Sequence, residues 1–67
     1  MSDVKYQIDG SMWGFLPCTE RAEHWFADNV ASEPWQWLGC MLWVDHRYGR
    51  SLWRAIANDT DLIMNRY

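Results

Sequence analysis

Residues 4–8, VKYQI, alternate apolar and polar positions and place Val4, Tyr6 and Ile8 on one side, the two-residue period of a strand with one buried face. Asp9-Gly10 follows. Asp-Gly between alternating segments favours a type I′ hairpin turn, which predicts a return strand over SMWGFL, residues 11–16. Gly14 lowers the strand preference of that segment but allows a close backbone approach. One long strand bent at Gly10 fits the same pattern.

Pro17 ends this unit, and Thr19 is placed to cap a helix whose first turn carries Glu20. Ala22, Trp25, Phe26, Asn29 and Val30 recur at helical spacing, so a helix is predicted over about residues 19–30, with Ser32-Glu33-Pro34 as its exit. From Trp35 or Trp37 to Val44 nearly every position is apolar. That run is too short and too poorly capped for a core helix and reads as a central strand covered on both faces. Alternation then separates Leu38, Cys40, Leu42 and Val44 from Trp37, Met41 and Trp43. Asp45 is placed to cap a second helix over about residues 46–57, with Tyr48, Leu52, Ala55 and Ile56 as its buried stripe and Asn58 as its stop. Gly49 in its interior costs up to about 1 kcal/mol against Ala, which marks a tight helix-to-sheet contact. The tail DLIMNRY reads as a last short strand.

The order strand or hairpin, helix, strand, helix, strand defines an α+β fold, a small two-layer sandwich forming a single domain over residues 1–67. Helices joined by right-handed crossovers to the strands of one small sheet lie on one of its faces. If they cover Leu38, Cys40, Leu42 and Val44, the other face carries Trp37, Met41 and Trp43, an apolar patch larger than soluble monomers usually leave uncovered. A second subunit or a target would cover it, unless the N-terminal hairpin folds across and supplies Trp13 and Phe15 as a lid. Trp25 belongs to the core.

Composition changes this picture in three ways. A chain of 67 residues buries only about 60% of its extended surface, so help from a disulfide, a metal or a partner subunit is expected. The net charge of −3 rests on nine acidic residues scattered along the chain, and the six basic residues form no stripe, which argues against direct nucleic-acid contact through phosphates and against mimicry of a nucleic-acid backbone. The start MSDVKYQIDG is polar, and no stretch approaches the ~20 apolar residues that span a bilayer. A cytoplasmic protein without membrane contact is expected, with Cys18 and Cys40 reduced.

The groups capable of chemistry do not converge. Cys18 and His24, and again Cys40 and His46, are separated by five residues, where structural zinc sites use two to four. Asp45-His46 suggests base catalysis, but neighbours at a helix start do not face each other, and no nucleophile is placed beside them. The four glycines stand apart at 10, 14, 39 and 49, so no phosphate-binding loop is present. No enzymatic activity, metal or cofactor is expected.

Binding residues are easier to name. Arg47, Arg50 and Arg54 fall on one face of the second predicted helix, either a solvated face with local ion pairs or a docking face. Trp53 lies off the buried stripe beside them and is the leading candidate for an exposed aromatic anchor. Trp37, Met41 and Trp43 form the second candidate set.

PCTERAEHWFADNV, residues 17–30, followed by WLG and VDHRY, resembles small proteins of phages and other mobile elements. In these a strand leads through a Pro-x-Thr turn into a helix ending Asn-Val, and a later strand ends in Val-(Asp/Glu)-His-Arg-Tyr. The resemblance spans roughly residues 15–57 and leaves out the start MSDVKYQIDGSMWG. It implies a non-enzymatic inhibitor that binds a host protein complex in the host cytoplasm, of the anti-CRISPR kind that occupies a CRISPR effector. The alternative is a small structural or regulatory homodimer without such a target.

Overall fold

In the computed structural model, which describes residues 2–67, β1 (Val4–Asp9) and β2 (Met12–Pro17) precede α1 (Glu20–Asn29), and a 3₁₀ turn (Pro34–Gln36) leads into β3 (Trp37–Leu38). After β4 (Met41–Asp45) come α2 (His46–Asp59) and β5 (Met64–Arg66). One sheet holds all five strands in the order β3-β4-β2-β1-β5. Neighbours are antiparallel except β5, which runs parallel to β1. The α+β fold read from the sequence is present. Among the described residues no helix is long and apolar enough to cross a membrane.

The N-terminal segment is a hairpin and not one bent strand. Its turn lies one residue later than Asp9-Gly10 suggests, because Asp9 pairs with Met12 and leaves Gly10-Ser11 as the turn. Gly10 has φ +62° while Ser11 stays out of the left-handed region, which matches a type II′ turn in place of the expected type I′. Register decides which side chains face the core. Here Val4, Tyr6, Trp13 and Phe15 share the face under the helices. Trp13 and Phe15, which one of the two readings made a lid on the opposite face, therefore project into the core from the middle of the sheet.

Residues 35–44 are not one central strand either. Gly39, at φ +63°, and Cys40 turn the chain back, so that Trp37 pairs with Leu42 and Leu38 with Met41. The middle of the sheet is β2. The run looks continuous in sequence because two short strands and the apolar residues around their turn are read end to end.

Both helices start where the sequence places their caps. The Thr19 hydroxyl oxygen accepts from Ala22 N at 3.3 Å, and Asp45 Oδ1 accepts from Arg47 N and Tyr48 N, each at 2.9 Å. Ala22 and Phe26 of α1, Val30 just beyond its end, and Leu52 and Ile56 of α2 close over Val4, Phe15, Leu42 and Val44. The expected core residue Trp25 is half-buried, edge-on to Phe26 with ring centres 5.6 Å apart. Gly49 is the close approach its sequence position implies: a Cβ there would stand 2.7 Å from both Cβ and Cγ of Trp13.

Asp3 fastens the two ends of the chain to α1. Its carboxylate accepts from Thr19 Oγ1 at 2.7 Å, Arg21 Nε at 3.0 Å, Arg21 Nη2 at 2.7 Å and Ile63 N at 2.9 Å. Its backbone N–H donates to Ile63 O at 2.8 Å, and its carbonyl accepts from Cys18 N at 2.7 Å. Although Asp3 is buried, the Arg21 bonds first, and then the Ile63 and Thr19 donors, hold its carboxyl well below the ordinary carboxylate range.

Two outcomes are expected. Gly49→Ala gains up to about 1 kcal/mol of helix propensity but forces α2 off the root of Trp13, so thermal denaturation should show a net loss of about 1–3 kcal/mol; an unchanged or raised melting temperature contradicts this packing. Because the folded pKa of Asp3 lies below its ordinary value of 3.8, its stabilisation is complete above that value and is lost as pH falls below it. Asp3→Asn should therefore lower the melting temperature at pH 7, and the gap from the parent should narrow below about pH 4; a gap that stays constant down to pH 3 contradicts it.

Candidate docking surface

Gly14 and Trp43 are cross-strand partners on the face of the sheet that carries no helix. Lacking a side chain, Gly14 leaves room for its neighbours to lie flat. A Cβ there would stand 2.9 Å from Met41 Sδ and 3.0 Å from the Trp43 ring. Trp43 and Met41 are thus half-buried against backbone, with no covering layer above them. The same face places Leu16 and Met12 on β2 and Leu38 on β3. Met12 is 40% and Leu38 69% exposed, so an apolar strip crosses three strands. On β1 the strip gives way to Lys5 and Gln7, which pair with Leu16 and Gly14.

Trp37, expected on this face with Met41 and Trp43, lies on the other. The two-residue turn at Gly39-Cys40 makes it the partner of Leu42, so it packs against the core while its Nε1 donates to Ser32 Oγ at 3.0 Å. The same turn moves Leu38 to the uncovered face and leaves Cys40 exposed. Of the four residues expected beneath the helices, only Leu42 and Val44 are there.

Arg47, Arg50 and Arg54 are exposed along the outer side of α2, on the opposite side of the molecule from Trp43. Both ion pairs among the described residues belong to Arg21, with Asp3 and with Asp61. The local pairs that the solvated-face reading gave the α2 arginines do not form among the described residues. Trp53 is not an exposed anchor: it is half-buried and meets Tyr6 edge-on, ring centres 6.1 Å apart at 85°. The two candidate sets cannot touch one flat partner surface together.

The most exposed large ring is Trp35, at 78%, one of the two positions read from the sequence as the start of a buried strand. Its only signal was Pro34, which favours a turn over a strand. Behind it, the end of α1 and the β3–β4 turn enclose a groove of about 640 Å³ lined by Phe26, Val30 and Trp37, with Glu23 and Cys40 on its walls. One carboxylate and one thiol do not make a reacting set.

The remaining polar groups have structural partners or face water. Hydrogen bonds from the Tyr48 and Arg47 amides lower the pKa of Asp45, so this carboxylate serves α2 and not the exposed His46. The Cys18 thiol donates to Leu16 O at 3.4 Å. Among the described residues no three His, Cys, Asp or Glu side chains come together to hold a metal ion. Compared with known proteins, the chain matches no family model, no curated protein and no solved structure.

Trp53→Ala should cost roughly 1–3 kcal/mol through the lost Tyr6 contact and core packing, whereas Trp35→Ala should leave the melting temperature within a degree or two of the parent, about the range of a surface change. Thermal denaturation of the two variants checks this. A stable Trp53→Ala or an unstable Trp35→Ala reverses the assignment of the two rings.

Proposed function

We infer that this chain is a non-enzymatic binding domain that docks a protein partner on the uncovered face of its sheet. One observation carries the reading: Trp43 and Met41 are held flat against Gly14, with Leu38, Leu16 and Met12 beside them and no helix above. Aromatic and Met side chains are enriched at interface cores. A ring already fixed by its own sheet loses little rotamer freedom on binding, so more of its burial appears as affinity. Arg47, Arg50 and Arg54 lie on the far side and act on encounter rate and salt dependence more than on the contact itself.

The resemblance of residues 15–57 to small mobile-element proteins supports a host defence complex as the target class, with a CRISPR effector as the leading example. Occupation of such a complex needs no catalytic group, and it would place the chain in the host cytoplasm.

Phage plating on a CRISPR-immune bacterium tests this directly, combined with capture of the purified effector on the immobilised chain. The parent should restore plating and retain the effector in stoichiometric amount. Trp43→Ala should stay folded and bind at least about thirtyfold more weakly, roughly 2 kcal/mol. Failure of the parent with every effector class, or equal binding by Trp43→Ala, would falsify the reading.

A further inference from the structure

The last strand is a free edge with matching apolar residues at both ends. Ile63 O accepts from Val4 N at 3.0 Å, and Tyr67 N donates to Tyr6 O at 2.7 Å, so the backbone groups of residues 63, 65 and 67 serve β1. By alternation the N–H and C=O groups of Met64 and Arg66 point outward from the sheet. β5 is the terminal strand in the sheet order. It carries no proline, and its short length and Arg66, which blunt such an edge, keep any pairing there weak. Ile63 is 52% and Tyr67 70% exposed. Tyr67 shares the uncovered face of the sheet with Lys5, whose Nζ lies 5.7 Å from its ring centre.

We propose that β5 pairs antiparallel with β5 of a second copy, around a two-fold axis at Asn65. In this register Met64 of each copy lies opposite Arg66 of the other, and these two hydrogen-bonded pairs satisfy every outward N–H and C=O of the strand. The next pairs outward set Ile63 of each copy against Tyr67 of the other, in the close, non-hydrogen-bonded type of pair where side chains touch. Two exposed apolar residues thus cover each other twice. A register shifted by one residue turns outward groups against inward ones, and larger shifts leave outward groups unpaired or both Tyr67 rings without Ile63 opposite. The contact is isologous. It is smaller than the roughly 800 Å² per partner of a standard interface, so the dimer is weak and reversible.

The pairing joins two sheets side by side with their uncovered faces on one side. The two Trp43 platforms then stand about 34 Å apart, seven strand spacings of about 4.8 Å. The edge contact does not depend on what those platforms bind.

Sedimentation of the full chain from about 10 μM to about 1 mM tests the pairing. The weight-average mass should rise from 8.0 kDa toward twice that value. Arg66→Pro removes an outward N–H without touching the β1 ladder, a place where an edge strand tolerates proline. It should keep the parent's melting temperature and weaken association roughly tenfold or more. Ile63→Ser should weaken it as well, with no change to the backbone, and Trp43→Ala should dimerise like the parent. A chain that stays at 8.0 kDa throughout overturns the proposal. So does a dimer that withstands both edge variants, or one that Trp43→Ala abolishes.

Discussion

The Asp3 carboxylate is the interaction on which the assembly depends. β5 has only three residues beside β1, and it is reached by a long crossover through α2 from β4, past β2 and β1. Such an element has little pairing of its own to fix where it stops. Asp3 supplies the stop by bonding both the N–H and the C=O of Ile63, one through its side chain and one through its backbone. With its other bonds it holds Thr19, the cap of α1, and Arg21 in the first turn. Charge-assisted bonds to a carboxylate with four donors are strong and directional. Among the described residues no buried side-chain nitrogen or oxygen lacks a partner, so the buried charge is fully compensated.

With the ends fixed, two glycines set the character of the two faces. Gly49 lets α2 settle onto Trp13, which closes the helical layer tightly over the sheet. Gly14 acts on the other side, where it lets Trp43 and Met41 lie down on the backbone. The exposed area of 4525 Å² matches the roughly 4,450 Å² expected for a folded monomer of this mass. The uncovered apolar face is therefore a feature of a normally compact chain and not of a loosely collapsed one. Two layers are enough to bury the core, and the face of the sheet opposite the helices stays uncovered.

Local signals were legible in the sequence, and relations between distant segments were not. The period of Val4, Tyr6 and Ile8, the caps at Thr19 and Asp45, and the contact at Gly49 follow from nearest neighbours along the chain. The turn at Gly10-Ser11 was misplaced by one residue because Asp-Gly and Gly-Ser are both good two-residue turns and only pairing with β4 selects between them. The turn at Gly39-Cys40 was hidden in an apolar run whose only mark was a single glycine, and Trp37 changed face with it. Trp53 was read as exposed because its partner, Tyr6, is at the other end of the chain. Asp3 gave no signal at all, since its donors come from two distant segments, residues 18–21 and Ile63. Of the candidate site, Met41 and Trp43 were legible through simple alternation within one unbroken strand.

The most direct measurement is the set of proton–proton contacts made by the Trp43 indole in solution, read by nuclear Overhauser spectroscopy. The expected result is strong contacts from that ring to the Gly14 α-protons, with those protons shifted upfield by the ring current, and none to α1 or α2. Contacts from Trp43 to either helix, or no contact with Gly14, would contradict a sheet that carries both helices on one face and its aromatic platform on the other.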